Sequence, residues 1–325
     1  LFTAAVARVE RAGTLLFERA YGVTRLDDPQ PVYVDTRFDL ASLTKLFAST
    51  IALRLAAAGH LDLDASLRDA IPAWCEAPKS AITARMLLAH TSGMYSGADY
   101  RTLFDKNVVA YALERELAAA PGARVIYSDL GMIALGAAIE AIEGRSLRAG
   151  VAAHFGRPGC RFDVDAAERR GIPATEDDGW RGRVQGVVHD EKAYLMGGAG
   201  GHAGLFATAA DVAMLAQAFL APLAGRPATL LPASLAREAV SEAAFDPILR
   251  RGLGWALKTT DENSCGRGFS MESFGHTGFT GTCVWADPQR DIVAVLLTNT
   301  VYFGRADSRP LRAAFFEAVI EALAQ

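Results

Sequence analysis

The strongest constraint on this chain is where its two hydrophobic periods lie. Residues 4–8 and 14–21 alternate as strands joined by a turn at 10–13, and read as a β-hairpin. From residue 253 onward the period is again that of strands, at 253–258, 274–277, 283–286 and 292–299, with Asp287–Asp291 as a turn and an amphipathic helix over 311–323 closing the chain. Between these ends, residues 59–241 are mostly helical in pattern. Strand ends around a helical middle predict an α+β protein: one antiparallel sheet built from both chain ends and flanked by helices, with an inserted, mostly helical lobe. The expected division is 1–58 with 242–325 as the sheet domain and 59–241 as the helical domain, with the active site at their junction.

Within the middle, the spacing predicts helices over 83–89 with Thr83 as N-cap, over 103–120 ending at Pro121-Gly122, over 129–143 ending at Gly144, and over 212–220 behind a capping box of Thr208 and Asp211. Residues 22–39, with Pro29 and Pro31, read as a polar loop, and 156–183 as a long surface excursion. The glycine-rich run 197–204 lacks G-x-x-x-x-G-K-[ST] and is not a phosphate loop.

With 51% hydrophobic and 22% charged residues, the 325-residue chain can bury a large core. A net charge of −4 argues against nucleic acid or an acidic membrane surface as partner. No apolar run approaches 18 residues, so no membrane-spanning helix is expected. Cys75, Cys160, Cys265 and Cys283 form no C-x-x-C pair and read as free thiols. Leu1 stands where a methionine would start a chain, and removal of a leader is the expectation; both an exported and a cytoplasmic location stay open.

Chemistry is concentrated in three places. In the first, Asp39-Leu-Ala-Ser42-Leu-Thr-Lys45 opens an apolar helix over 46–58. Ser42 and Lys45, three apart, share one helical face at an N-terminus whose partial positive charge favours a developing anion. This is an S-x-x-K arrangement for an activated serine, against the plainer reading of an N-cap serine and a solvated lysine. Lysine is scarce: five of the 33 basic residues, leaving 28 arginines. A lysine kept where arginine is the default has an amine that can lose a proton. The second is Tyr127-Ser128-Asp129, where a short strand over 124–127 delivers a phenol able to shuttle protons, before a helix that Asp129 can cap; a core tyrosine is the alternative. The third is Phe274-Gly275-His276-Thr277-Gly278-Phe279-Thr280-Gly281. Glycines in a strand imply close approach to the backbone, and a substrate laid there would meet the Phe279 N–H and the side chains of His276 and Thr277; a glycine-bearing edge strand with no ligand is the alternative.

In this order and spacing, Ser42-x-x-Lys45, Tyr127-Ser-Asp129 and His276-Thr-Gly278 resemble the three active-site elements of the class C β-lactamase and penicillin-binding-protein superfamily of serine hydrolases. Leu87–Met94, Gly204–Asp211 and Trp285–Pro288 resemble its connecting stretches. The resemblance implies a β-lactamase/transpeptidase-like fold and hydrolysis of an ester or amide through an acyl-enzyme, without cofactor or metal, on a small-molecule or peptide acyl substrate. It implies Ser42 as nucleophile, Lys45 as proton acceptor or electrostatic support, Tyr127 completing the proton path, the N–H groups of Ser42 and Phe279 as oxyanion hole, and Asp129, His276, Thr277 and Gly278 beside the substrate. An esterase is the favoured activity; a D-alanyl-D-alanine carboxypeptidase or D-amino-acid peptidase, a weak β-lactamase, and a non-catalytic acyl-binding sensor are the alternatives. Two departures matter. Asp129 replaces the commoner asparagine and is expected to hold Lys45 charged. His276 replaces the lysine of β-lactamases, so esters are expected to turn over better than β-lactams. The helix that usually precedes the first hairpin is missing, so the N-terminus is expected to be incomplete. His189, Asp190, Glu191 and His202 match no standard metal-ligand spacing, and His202 with its glycines is expected against the active-site floor.

Overall fold

A computed structural model describes residues 1–259 and 263–324 of the chain. Its organising element is a six-stranded antiparallel sheet in the order Thr14–Gly22, Ala4–Arg11, Ile292–Thr298, Cys283–Asp287, Phe274–Thr277, Ala256–Leu257. The chain ends thus meet at the centre of the sheet, with Val6 opposite Leu297 and Val9 opposite Ala294. The hairpin is longer than its apolar runs because Glu10 and Arg11 also pair, and the turn shrinks to Ala12-Gly13, both at positive φ (50° and 77°), as a two-residue turn between twisted strands requires.

All seven residues of Ile292–Thr298 are buried, because both faces of this central strand are covered. Val293, Val295 and Leu297 face the main core, and Ile292, Ala294 and Leu296 face Phe316 and Val319 of the closing helix Arg309–Leu323. On the core side, helix Ala209–Leu223 crosses the sheet, opened by the expected Thr208–Asp211 capping box. Helix Thr44–Ala57 packs on Asp129–Glu143 and Leu147–Phe155. One apolar cluster runs from Val6 and Phe274 of the sheet through Leu46 and Phe47 to Leu88 and Met132, so the helical part shares the core of the sheet.

Several local expectations are corrected. The helix expected over 103–120 is confined to Val108–Glu114: Asn107 caps it, and Arg115 leaves helical geometry to lie over the Tyr95 ring, after which Ala118 and Ala119 donate to the Gly93 carbonyl. The strand expected at 253–258 is reduced to Ala256–Leu257 at the sheet edge. Residues 124–127 form no strand; the Ile126 N–H instead donates to the His90 carbonyl. The loop 22–39 ends in a short strand, Phe38–Asp39, paired with Phe206–Ala207. The excursion 156–183 buries Cys160, Phe162, Val164 and Ile172 and carries a small hairpin, Asp177–Asp178 with Gly182–Arg183.

Asn299 joins the two chain ends. Its Oδ1 accepts from the Thr3 and Ala4 N–H groups at 3.0 Å each, and its Nδ2 donates to Thr3 Oγ1 at 2.8 Å and the Ala174 carbonyl at 2.7 Å. Asn299→Ala strands two backbone N–H groups and a carbonyl in a buried site, and is expected to lower stability by about 3 kcal/mol. A urea denaturation midpoint within experimental error of wild type would contradict this.

Candidate active site

Asp39, Leu40 and Ala41 aim the nucleophile. Asp39 is buried and accepts the Ala41 N–H at 2.9 Å and the His189 N–H at 2.6 Å. Burial raises the Asp39 carboxyl above the usual range, and these N–H bonds only partly oppose it. The Ala41 bond holds that residue at φ 47°, a conformation L-residues adopt at some cost, and this turns the chain sharply into Ser42. Ser42 lies in the 3₁₀ turn Ala41–Leu43, which runs directly into helix Thr44–Ala57.

The strand Phe274–Thr277 and the turn after it are fastened to the same segment. Thr280 Oγ1 donates to the Asp39 carbonyl at 2.8 Å and Thr282 Oγ1 to the Leu40 carbonyl at 3.0 Å. A Cβ on Gly278 would lie 2.1 Å from Thr282 Oγ1 and 2.5 Å from the Leu40 carbonyl oxygen. A Cβ on Gly275 would lie 2.4 Å from the Trp285 ring on the next strand. These two glycines are therefore required by the protein's own contacts.

Lys45 is 1% exposed. Its Nζ lies 2.8 Å from Ser42 Oγ, 2.9 Å from Asp129 Oδ1 and 3.1 Å from the His202 carbonyl, one acceptor for each ammonium N–H. Burial works to lower its pKa, but the charge of Asp129 beside it prevails, and Lys45 stays above the usual lysine value. The chain of charges continues. Asp129 Oδ2 is 3.3 Å from Lys192 Nζ, Lys192 is 2.9 Å from Asp190 Oδ2, and Asp190 Oδ1 is 2.9 Å from His202 Nε2. Burial opposes ionisation of both aspartates, yet their cationic neighbours hold Asp129 below and Asp190 well below the usual range, while Lys192 is raised. The His202 carbonyl is held in place by the glycine run, since a Cβ on Gly201 would lie 2.2 Å from the Met132 carbonyl oxygen.

The Tyr127 ring sits among four polar side chains. Its centroid lies 4.7 Å from that of His90 and 5.9 Å from that of His276, with Lys45 Nζ at 4.9 Å and the Arg251 guanidinium at 5.1 Å. His90 Nδ1 accepts the Ser128 N–H at 3.1 Å. Burial, then the charges of Arg251 and Lys45, push both histidines well below their usual pKa, so both rings are neutral. His276 Nδ1 is 2.8 Å from the Thr277 carbonyl. A carbonyl only accepts, so Nδ1 carries the proton and Nε2, buried without a partner among the described residues, is left as an acceptor.

Ser42, Tyr127, His276, Thr277, Gly278 and Phe279 line one cleft of about 750 Å³. Among the described residues, neither the Ser42 nor the Phe279 N–H donates to a protein acceptor. The Phe279 ring is 54% exposed and stacks on His189 at 5.7 Å. Asp129 and Lys45 lie behind Ser42 as the pairing argument expects. The helix cap, however, is Ser128, whose Oγ accepts the Gly131 N–H at 2.8 Å, and Asp129 is left available for the lysines. Lys192, Asp190, His90 and Arg251 were not anticipated here. The scarcity that singles out Lys45 applies equally to Lys192: three of the five lysines, Lys45, Lys192 and Lys258, are buried.

The chain belongs to the β-lactamase family, whose model matches residues 2–317. Its fold is the β-lactamase/transpeptidase-like one, and it is a serine hydrolase. It is 31% identical to an N-acetylmuramyl-L-alanine amidase of Bacillus subtilis over 92% of this chain and 77% of the relative. It is 30% identical to a putative D-alanyl-D-alanine carboxypeptidase of Escherichia coli over 90% and 77%. Similar solved structures include EstCE1, a hydrolase with promiscuous acyltransferase activity (TM-score 0.78, 22% identity, covering 98% of this chain and 94% of that one), and a class C β-lactamase from Rhodobacter sphaeroides (TM-score 0.75, 19% identity, 98% and 94%). Among the described residues no helix is long and apolar enough to cross a membrane.

The shared position of Asp129 between two lysines yields opposed predictions. Asp129→Asn removes the charge that offsets burial at Lys45, so the Lys45 pKa falls and the alkaline fall in kcat/KM that follows loss of the ammonium moves to lower pH. Lys192→Met leaves Asp129 to Lys45 alone, and that fall moves to higher pH. The test is kcat/KM for one ester against pH; profiles of both variants superimposing on wild type would sink the pairing.

Proposed function

We propose that this serine hydrolase forms its acyl-enzyme on Ser42, at the junction of the sheet part (1–58 and 242–325) and a helical lobe (59–241). The observation that carries the assignment is the Lys45 ammonium, enclosed and held 2.8 Å from Ser42 Oγ at the floor of the cleft. Ser42 Oγ attacks the substrate carbonyl carbon, and the serine proton moves through Tyr127 to the leaving group as the carbon–leaving-group bond breaks. Lys45, kept charged by Asp129, orients Oγ and stabilises the anionic character that develops on it. The N–H groups of Ser42 and Phe279 receive the oxyanion, at the N-terminal end of helix Thr44–Ala57. Water then repeats the sequence on the acyl-enzyme, and Ser42 is regenerated.

An ester is the favoured substrate. Neutral His276, whose Nε2 only accepts, gives no positive charge at the place where β-lactamases carry lysine. Thr277 and the edge of the strand Phe274–Thr277 lie beside the acyl group. A second reading, hydrolysis of a D-alanyl peptide or a related amide, is favoured by the names of the two curated relatives. A non-catalytic acyl sensor is disfavoured by the presence of Ser42, Lys45 and Tyr127 around one cleft.

A fluorophosphonate is expected to add one label to the wild-type protein, on the peptide containing Ser42, and none to Ser42→Ala. Mass spectrometry that maps the label elsewhere would falsify the nucleophile. Tyr127→Phe is expected to lower kcat on a short p-nitrophenyl ester by about 10²- to 10⁴-fold, the range for a lost general acid–base. Undiminished turnover in that variant would take Tyr127 out of the proton path.

A further inference from the structure

The Phe279 N–H belongs to the peptide that joins Gly278 to Phe279, and the carbonyl end of that peptide is held by the closing helix. The Gly278 carbonyl accepts the Gly281 N–H at 3.1 Å, which closes a β-turn with Phe279 at its second position, and it also accepts Arg312 Nη2 at 2.5 Å. Arg312 lies in the first turn of helix Arg309–Leu323 and is 7% exposed. Burial and the positive end of a helix both disfavour a cation at that place.

A carbonyl oxygen has two lone pairs, and here each has a donor. The Gly278–Phe279 peptide is trans and planar, so its N–H points opposite to its C=O, and fixing the carbonyl fixes the direction of the Phe279 N–H. The Gly278 N–H donates to the Thr282 carbonyl at 2.7 Å, and Thr282 Oγ1 donates to the carbonyl of Leu40, two residues before Ser42. The peptide is thus seated on the segment that delivers the nucleophile, its carbonyl toward Arg312 and its N–H away from it. The bond also changes the N–H itself. A guanidinium on the carbonyl oxygen draws electron density along the amide and leaves the N–H more positive, as hydrogen bonds in series strengthen one another. Arginine keeps its charge at every working pH, so this effect does not titrate.

We propose that Arg312 is a positioning residue for acyl transfer: through the Gly278 carbonyl it orients and polarises the Phe279 N–H that receives the oxyanion. This rests on the reading of Ser42 and Phe279 as the oxyanion hole. Arg312 acts from behind the peptide, on the reacting carbonyl of a charged or a neutral substrate alike.

The test uses a neutral ester, p-nitrophenyl butyrate, so that no substrate carboxylate can meet the guanidinium. Wild type, Arg312→Met and Arg312→Lys are compared, with the thermal midpoint of each measured alongside. Arg312→Met is expected to lower kcat about 10-fold with KM within about twofold, because the N–H is loosened but not removed; losing an oxyanion donor outright costs about 10²- to 10³-fold. Arg312→Lys, which keeps a charged donor, is expected to recover part of the rate. The inhibition constant of phenylboronic acid, whose tetrahedral adduct with Ser42 Oγ places an oxygen where the oxyanion forms, is expected to rise by about the same factor as kcat falls. The contact itself is read by magnetic resonance. Glycine labelled with ¹³C at the carbonyl, together with ¹⁵N-phenylalanine, marks two peptides in this chain, Gly268–Phe269 and Gly278–Phe279, and Phe279→Leu identifies the second by deleting its signal. The Gly278 carbonyl resonance is expected to move upfield in Arg312→Met and back toward wild type in Arg312→Lys. A lower thermal midpoint with kcat and boronate affinity intact would mark a bond that serves only the fold, and a KM rise with kcat unchanged would mark a substrate contact; either overturns the proposal, as does a Gly278 resonance that stays in place. If wild type neither hydrolyses the ester nor binds the boronic acid, the Ser42 reading fails and takes the role of Arg312 with it. If wild type does both and Arg312→Met matches it, the role of Arg312 alone fails.

Discussion

The ammonium of Lys45, buried to 1% exposure, is the interaction on which the remainder of the site depends. An unpaired ammonium in that position would be several kcal/mol unfavourable or would give up its proton. Three acceptors prevent this, and each comes from a different part of the chain: Ser42 from the preceding turn, Asp129 from the start of a helix, and the His202 carbonyl from the glycine run. The helix is capped by Ser128, so the Asp129 carboxylate is not spent on its own backbone. The glycines let the His202 segment lie against the Met132 carbonyl, close enough to reach the amine.

Asp129 has a consequence that an asparagine would not have. An amide could accept one hydrogen bond from Lys45 and remain neutral. A carboxylate brings charge into a buried site and calls for a second cation, which Lys192 provides, and Lys192 in turn requires Asp190. The series Lys45, Asp129, Lys192, Asp190 alternates in sign and balances two cations with two anions. The substitution at one position thus accounts for a buried network that ends at His202, whose own carbonyl returns to Lys45.

What the sequence made legible follows from range. Period-two alternation, caps and turns are local, and the hairpin, the Ile292–Thr298 strand, the Thr208 capping box and the S-x-x-K turn could all be read from neighbours. The shortened helix Val108–Glu114 could not, because its end is set by Arg115 reaching Tyr95 and by the Gly93 carbonyl. The pairing of Phe38–Asp39 with Phe206–Ala207 joins two-residue strands far apart in sequence, and two residues carry no period. The glycines of 275 and 278 were visible as sites of close approach, but not that Trp285 and Leu40 are what approaches them. Lys192 carried the same signal of rarity as Lys45 and lacked only a motif to draw attention to it.

His276 shows how a single position can mislead when it is read without its neighbours. As a histidine in place of lysine, it implies a cleft with little grip on anions, and its neutral ring and bare Nε2 agree. Yet the causes that keep it neutral include Arg251, a permanent cation that a strand-pattern reading places in an unremarkable stretch before Gly252-Leu-Gly. A positive charge is present in the cleft lining all the same, on Arg251, 25 positions earlier in the chain. The ranking of esters over β-lactams therefore turns on geometry and not on charge alone.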